Sequence, residues 1–125
     1  DEKNRVNPKE ITFLQILPKI SDEQLKFLYE NSLFCIATSK FEGFGLPILE
    51  ANSLGIMCLH NQLPSFMELT CEYNVQLQNS FEKNDWSKIA LKITNFTSSK
   101  ALAELTEERF GLSIFISKLR SEFLS

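Results

Sequence analysis

The sequence predicts an α/β domain with a doubly wound parallel sheet of about four strands, and three observations lead to this fold class. Short apolar runs without alternation are typical of strands covered on both faces, and two of them lie at residues 33–37 and 56–59. Segments with helical periodicity separate the strand candidates, and strands that alternate with helices form parallel sheets through right-handed crossovers. Residues 31–67 contain only three charged side chains, which indicates the buried centre of a Rossmann-like domain.

Two further strand candidates flank this centre. Residues 11–14 form an earlier apolar run, and residues 73–77 alternate between apolar and polar side chains. Alternation indicates a strand with one solvated face, so the last strand is expected nearer the edge of the sheet. The chain length of 125 residues corresponds to one domain of ordinary size, so a single domain is expected.

Helices are expected between the strands. Ser21, followed three residues later by Gln24, has the spacing of a capping box and predicts a helix over residues 22–31. A proline in the first turn and a glycine after the last predict a helix of about two turns over residues 47–54. Apolar side chains with helical spacing predict two later helices, one over residues 86–96 behind an Asp85 cap and one over residues 112–123.

Charge and cysteine content exclude several function classes. The net charge of −3 provides no basic surplus for a phosphate backbone, so no nucleic-acid partner is expected. Cys35, Cys58 and Cys71 cannot all pair, and no CxxC spacing or neighbouring histidine suggests a metal site. We therefore expect neither metal nor cofactor. A reducing compartment fits free thiols, so the expected location is the cytoplasm, either free or peripheral to the inner face of a membrane.

The loop at residues 39–47 is the main candidate for chemistry. It joins the second strand to a helix amino end, and its Gly43 and Gly45 let a ligand approach the main chain. Glu42 precedes the glycines. Glu50 borders the apolar face of the helix, so its carboxylate is expected to be partly buried and to need hydrogen-bond donors, which ligand hydroxyls could supply. The residues alone leave two plainer alternatives open: a solvated Glu50 and an ordinary loop glutamate.

Residues 42–51, Glu-Gly-Phe-Gly-Leu-Pro-Ile-Leu-Glu-Ala, resemble the signature of retaining GT-B glycosyltransferases of family 4. Tyr29 also falls where that family has a similar feature, and the resemblance covers residues 11–93. It implies that the chain is the later part of a carboxyl-terminal, donor-binding domain. The donor would be a nucleotide-diphosphate sugar, from which a hexose moves to a glycan or lipid acceptor.

The resemblance also implies roles for individual residues. Glu42 would be catalytic and lie beside the donor sugar, and Glu50 would bind the ribose hydroxyls. The donor-binding amides, which would meet the sugar hydroxyls and the diphosphate, belong to Gly43, Phe44, Gly45 and Leu46.

Departures from the family pattern suggest a second interpretation of the function. The amino-terminal acceptor domain and an early Arg and Lys are not found, so we expect a fragment or half of a split enzyme that is inactive alone. Residues 60–65 are shorter than the family loop, with Ser65 after Pro64 in place of a glutamate. The alternative function is a non-catalytic, truncated module that docks on a partner chain. An uncovered sheet edge also predicts self-association.

Overall fold

In a computed structural model, residues 15–78, 82–97 and 99–111 are described, and they form an α/β domain. A three-stranded parallel sheet with the order β1-β2-β3 is flanked by helices. The predicted fold class is confirmed. The elements in chain order are α1 (Asp22–Glu30), β1 (Cys35–Ala37), α2 (Leu46–Ser53), β2 (Cys58–His60), α3 (Pro64–Leu69), β3 (Val75–Gln76), α4 (Lys83–Thr94) and α5 (Ser99–Phe110).

The three strands lie within the predicted segments or one residue beyond them. β2 is buried along its whole length, as expected for a central strand. β1 differs from the prediction, because Ile36 is 57% exposed and Leu33, just before the strand, is 81% exposed. Helix α4 covers the side of the sheet that carries Leu59 and Val75, and this cover does not extend to Ile36. The predicted strand at residues 11–14 and helix at residues 112–123 lie outside the described residues.

The core has one apolar cluster on each face of the sheet, which is the doubly wound arrangement. On one face, α2 and α3 pack against β1 and β2, and the cluster contains Ala37, Ile48, Ala51, Cys58, Phe66 and Leu69. On the other face, α4 packs against β2 and β3, and the cluster contains Met57, Leu59 and Ile89. Most of these side chains belong to residues 31–67, where the sequence places the buried centre.

The predicted signals at the ends of α1 and α2 are confirmed. Ser21 Oγ accepts from the Gln24 amide at 3.2 Å, and Gln24 Oε1 accepts from the Ser21 amide at 2.9 Å. After α2, Gly55 has φ +75°, and the Ile56 amide donates to the Ala51 carbonyl at 2.8 Å. This is the Schellman arrangement, in which a left-handed glycine closes a helix.

Helix α4 begins earlier than predicted. Its N-cap is Glu82, and Asp85 lies inside the first turn, where its carboxylate accepts from the Glu82 amide at 3.0 Å. The residue type of Asp85 suggests a cap, but the N-cap is Glu82, whose amide donates to the Asp85 carboxylate. Trp86, expected on the apolar face, is 51% exposed, whereas Ile89 is buried in the core.

Two described helices were not predicted. α3 begins at the end of the expected loop over residues 60–65, and it holds Phe66 and Leu69 in the core. α5 packs against α2. Its approach is close at Gly55, where a Cβ would collide with the Ser99 carbonyl. Of these two helices, α3 packs against the loop that joins β1 to α2, and α5 packs against α2.

Candidate functional site

The loop between β1 and α2 is shaped by Gly45, the N-cap of α2. Gly45 has φ +84°, a conformation that L side chains rarely adopt. A Cβ at this position would lie 2.8 Å from Leu69 Cδ1 and 3.1 Å from Phe66 Cδ1. The glycine is therefore required by the packing of α3 against the loop, which sequence reasoning did not foresee.

Gly43 lies in a different environment. A Cβ on Gly43 would meet nothing within 4 Å, and the backbone there faces open space. Its neighbour Phe44 is 62% exposed, and Leu46, in the first turn of α2, is 55% exposed. The main chain around Gly43 is thus open to a ligand, whereas at Gly45 the space that a Cβ would occupy is filled by Leu69 and Phe66.

Glu42 is held by hydrogen bonds from both sides of the loop. Ser39 Oγ donates to Glu42 Oε1 at 2.9 Å, and Ser65 Oγ donates to the Glu42 carbonyl at 3.2 Å. The Asn61 side-chain amide donates to the Ser39 carbonyl at 2.7 Å. The loop is therefore fastened to the segment that leads from β2 into α3, and the carboxylate of Glu42 has a defined orientation.

Glu50 is half-buried on α2, as the helical pattern predicts. The Tyr29 hydroxyl on α1 donates to Glu50 Oε2 at 3.1 Å. The sequence left this partner unidentified, although the family resemblance includes Tyr29. Burial, reinforced by the nearby Cys35 and Glu50, raises the pKa of Tyr29 well above its usual range, so the hydroxyl remains a donor.

The two glutamates line two different clefts. Glu50 contributes to a cleft of about 220 Å³ between α1 and α2. Glu42 contributes to a cleft of about 350 Å³ between the loop and α3, where Lys40, Ser65 and Glu68 are the other polar residues. Eight positions apart in sequence, the two glutamates thus line different clefts, one beside the loop before α2 and one beside the second half of α2.

His60 ends β2 and is fully buried, so it does not face either cleft. Its Nδ1 lies 2.9 Å from the Asn61 carbonyl, which can only accept a hydrogen bond, so Nδ1 carries the proton. Nε2 then accepts from the Thr70 hydroxyl at 2.7 Å. Burial lowers the pKa of His60. The histidine is a structural residue that links β2 to the end of α3.

Within the described ranges there is neither a metal-ligand cluster nor a membrane-spanning helix. Residues 15–78, 82–97 and 99–111 contain no group of three or more His, Cys, Asp or Glu side chains placed to hold a metal ion. None of the helices in the described part of the chain is long and apolar enough to cross a membrane.

Comparison with known proteins places these features in a context. Residues 4–110 match the family model described as "Glycosyl transferases group 1". The chain is 39% identical over 72 residues to a serotype-specific mannosyltransferase of Escherichia coli, a match that covers 58% of this chain and 9% of the relative. It is 34% identical over 59 residues to the GDP-mannose:cellobiosyl-diphosphopolyprenol alpha-mannosyltransferase of Xanthomonas oryzae pv. oryzae, covering 47% of this chain and 16% of the relative.

A third similar protein is the O-antigen chain mannosyltransferase B of Escherichia coli. It is 28% identical over 90 residues, which is 62% of this chain and 24% of the relative. The chain thus spans at most about a quarter of the length of these three relatives.

Proposed function

The chain belongs to the group 1 glycosyl transferases, and from this premise we propose that it is the donor-binding part of a retaining glycosyltransferase of family 4. The enzyme moves a hexose from a nucleotide-diphosphate sugar to a glycan or lipid acceptor. As the resemblance implies, we assign the acceptor to an amino-terminal domain and expect this segment alone to be inactive.

The observation that carries the proposal is the placement of the two glutamates in separate clefts. Glu42 lines a cleft beside the open glycine loop, and Glu50 lines a cleft between α1 and the second half of α2. A nucleotide sugar has two hydroxyl-bearing ends, the ribose and the hexose, joined by a diphosphate. Carboxylates accept hydrogen bonds from hydroxyl groups, and charged acceptors make the stronger bonds. A carboxylate that precedes the glycine loop and a second one that follows it by about one helical turn therefore match the two ends of one donor.

In this proposal the nucleotide end lies in the cleft between α1 and α2. Glu50 accepts hydrogen bonds from the ribose hydroxyls. The diphosphate lies against the backbone amides of Gly43, Phe44, Gly45 and Leu46, where the amino end of α2 supplies a partial positive charge. The open main chain at Gly43 allows this approach.

The sugar end lies beside Glu42, in the cleft next to α3. Transfer breaks the bond between the anomeric carbon and the diphosphate oxygen and forms a bond from that carbon to an acceptor hydroxyl oxygen, whose proton passes to the released diphosphate. During this step positive charge develops on the sugar and negative charge develops on the leaving diphosphate. Amides at the helix end stabilise the diphosphate, and the fixed carboxylate of Glu42 lies near the sugar. Positioning of donor and acceptor supplies much of the remaining rate enhancement.

Mannose is the first sugar to test. The three similar proteins are all named as mannosyltransferases, and the Xanthomonas relative is named for GDP-mannose. This supports GDP-mannose as the donor proposed for the present chain, with a polysaccharide or a lipid-linked glycan as the acceptor.

Nucleotide titration tests the proposed function. GDP and GDP-mannose should bind with dissociation constants in the roughly high micromolar to millimolar range, because the two clefts hold only the lysines Lys40 and Lys26, and Lys26 is paired with Glu30 at 3.7 Å. Amide NMR shifts should concentrate at residues 43–50. UDP and ADP serve as comparisons for the base. Shifts that avoid residues 43–50 for every nucleotide would contradict donor binding.

Exchange of each carboxylate for an amide tests the two roles. Glu50→Gln should weaken GDP binding by about tenfold, since charged hydrogen bonds contribute about 1.5 to 3 kcal/mol. Glu42→Gln should leave GDP affinity nearly unchanged and should weaken only the additional affinity for GDP-mannose. Calorimetry measures both variants, and circular dichroism verifies folding. Equal losses of GDP affinity in the two variants would refute the assignment.

A second candidate function is a non-catalytic module that docks on a partner chain. The observation in its favour is the exposure of two apolar side chains, Ile36 in β1 and Leu33 just before it. The same nucleotide titration separates the candidates, because a docking module that lost donor binding would give no shifts at residues 43–50.

A further inference from the structure

We propose that Tyr29 is a positioning residue, whose hydroxyl fixes the Glu50 carboxylate in the orientation that receives the ribose hydroxyls. This inference rests on the proposed function, because it requires Glu50 to bind the nucleotide. The supporting contact is the hydrogen bond from Tyr29 to Glu50 Oε2 at 3.1 Å, made across 21 positions of sequence. It joins α1 to α2 and is therefore a product of the fold.

The hydroxyl of Tyr29 has little freedom to move. The ring packs against the apolar cluster on the α2 side of the sheet, and the side chain is half-buried. A ring anchored in the core places its hydroxyl at one point in space. Because burial also keeps the hydroxyl protonated, it donates to the carboxylate throughout the neutral pH range.

One hydrogen bond leaves Glu50 able to bind a ligand. A carboxylate has about four lone-pair sites on two oxygens, and Tyr29 occupies one of them on Oε2. The other sites remain for ribose hydroxyls entering the cleft, which both residues line. Without the tyrosine hydroxyl, binding would have to immobilise the glutamate side chain, and such ordering lowers affinity by about three- to tenfold.

The closest variant is Tyr29→Phe, which removes one oxygen and keeps the ring in the core. NMR titration with GDP should show a dissociation constant about three- to tenfold higher than that of the wild-type chain. Titration with 2′,3′-dideoxy-GDP should give the same constant for both chains, since that nucleotide has no ribose hydroxyls for Glu50 to bind. A purely structural role of Tyr29 would affect both nucleotides alike.

Tyr73→Phe is the matched control. The Tyr73 ring packs edge-on against Phe96, with 6.0 Å between centroids, on the other side of the sheet. Loss of its hydroxyl should change neither titration. Should Tyr29→Phe reduce folding, Tyr29→Met provides a second chain without the hydroxyl, and the difference between GDP and the dideoxy nucleotide is again the deciding quantity.

The outcomes separate the two proposals. GDP affinity equal to wild type in Tyr29→Phe, or an equal loss for both nucleotides, overturns the positioning role while donor binding stands. Absence of any GDP binding to the wild-type chain overturns the proposed function and, with it, the positioning role of Tyr29.

Discussion

At the scale of single residues, the two loop glycines have different physical roles. Gly45 combines a positive φ with close contacts to Phe66 and Leu69, whereas Gly43 has open space where a Cβ would be. The sequence predicts that both glycines let a ligand approach the main chain. Only the packing of α3 shows that Gly45 is also required for the fold.

Alanine at each glycine should reveal this difference. Gly45→Ala should lower the free energy of unfolding by about 2–4 kcal/mol, from left-handed strain and overpacking together. Gly43→Ala should change it by less than about 0.5 kcal/mol, because the new methyl group meets nothing. Urea denaturation of both variants measures the values, and similar losses would contradict the assignment of Gly45 to the core.

At the scale of elements, β2 and α3 are joined by the buried His60. Because burial lowers its folded-state pKa, the native state holds the neutral ring while the unfolded chain binds a proton below about pH 6.5. Unfolding therefore takes up a proton in acid. The contribution of the neutral His60 ring to the free energy of unfolding is fully present above pH 6.5, and it is lost as the pH falls from there toward the folded-state pKa.

This linkage predicts a pH dependence of stability. The free energy of unfolding should fall by up to about 1.4 kcal/mol per pH unit below 6.5. His60 is the single histidine of the chain, which makes the slope assignable. Denaturation curves at about pH 5.5, 6.5 and 7.5 measure it, and His60→Gln should flatten the slope between these values. An unchanged slope in the variant would assign it to other groups.

Local signals predicted the elements whose ends are set by nearby residues. Ser21 and Gln24 identify the start of α1, and Gly55 identifies the end of α2, because each makes its contacts within a few positions. α5 was not predicted, since its buried side chains include the polar Thr106 and its apolar pattern is weak. α3 is only six residues long, too short for a periodic pattern.

The candidate site, like the fold, could be predicted from the sequence only in part. The loop glutamates and glycines could be named from sequence because they lie together in one motif. Their partners could not, because Tyr29 is 21 positions from Glu50, and Ser65 is 23 positions from Glu42. Such contacts depend on how α1 and α3 pack, which no local spacing specifies.

At the scale of the whole molecule, the exposed side of β1 predicts self-association. Within the described ranges β1 pairs only with β2, and the apolar side chains of Ile36 in β1 and of Leu33 just before it are exposed. Such edges tend to pair with another chain. Sedimentation at rising concentration, up to about 100 micromolar, should show dimers or larger species.

Two lysine variants locate the surface that associates. Ile36→Lys should shift the population toward monomer by placing a charge at the strand edge. Leu91→Lys, on the exposed side of α4, is the matched control and should have no effect. A wild-type chain that is monomeric at every concentration, or equal effects of the two lysines, would contradict association through β1.

The fastening of the glutamate loop has a consequence for transplanting the motif into another protein. Glu42 is oriented by Ser39 and held through Ser65 at the start of α3, and Glu50 is oriented from α1 by Tyr29. A graft of residues 39–55 would keep the eight-position spacing and lose the donors that lie outside it. The smallest portable unit of this site therefore runs from α1 through α3, more than twice the length of the motif by which it is recognised.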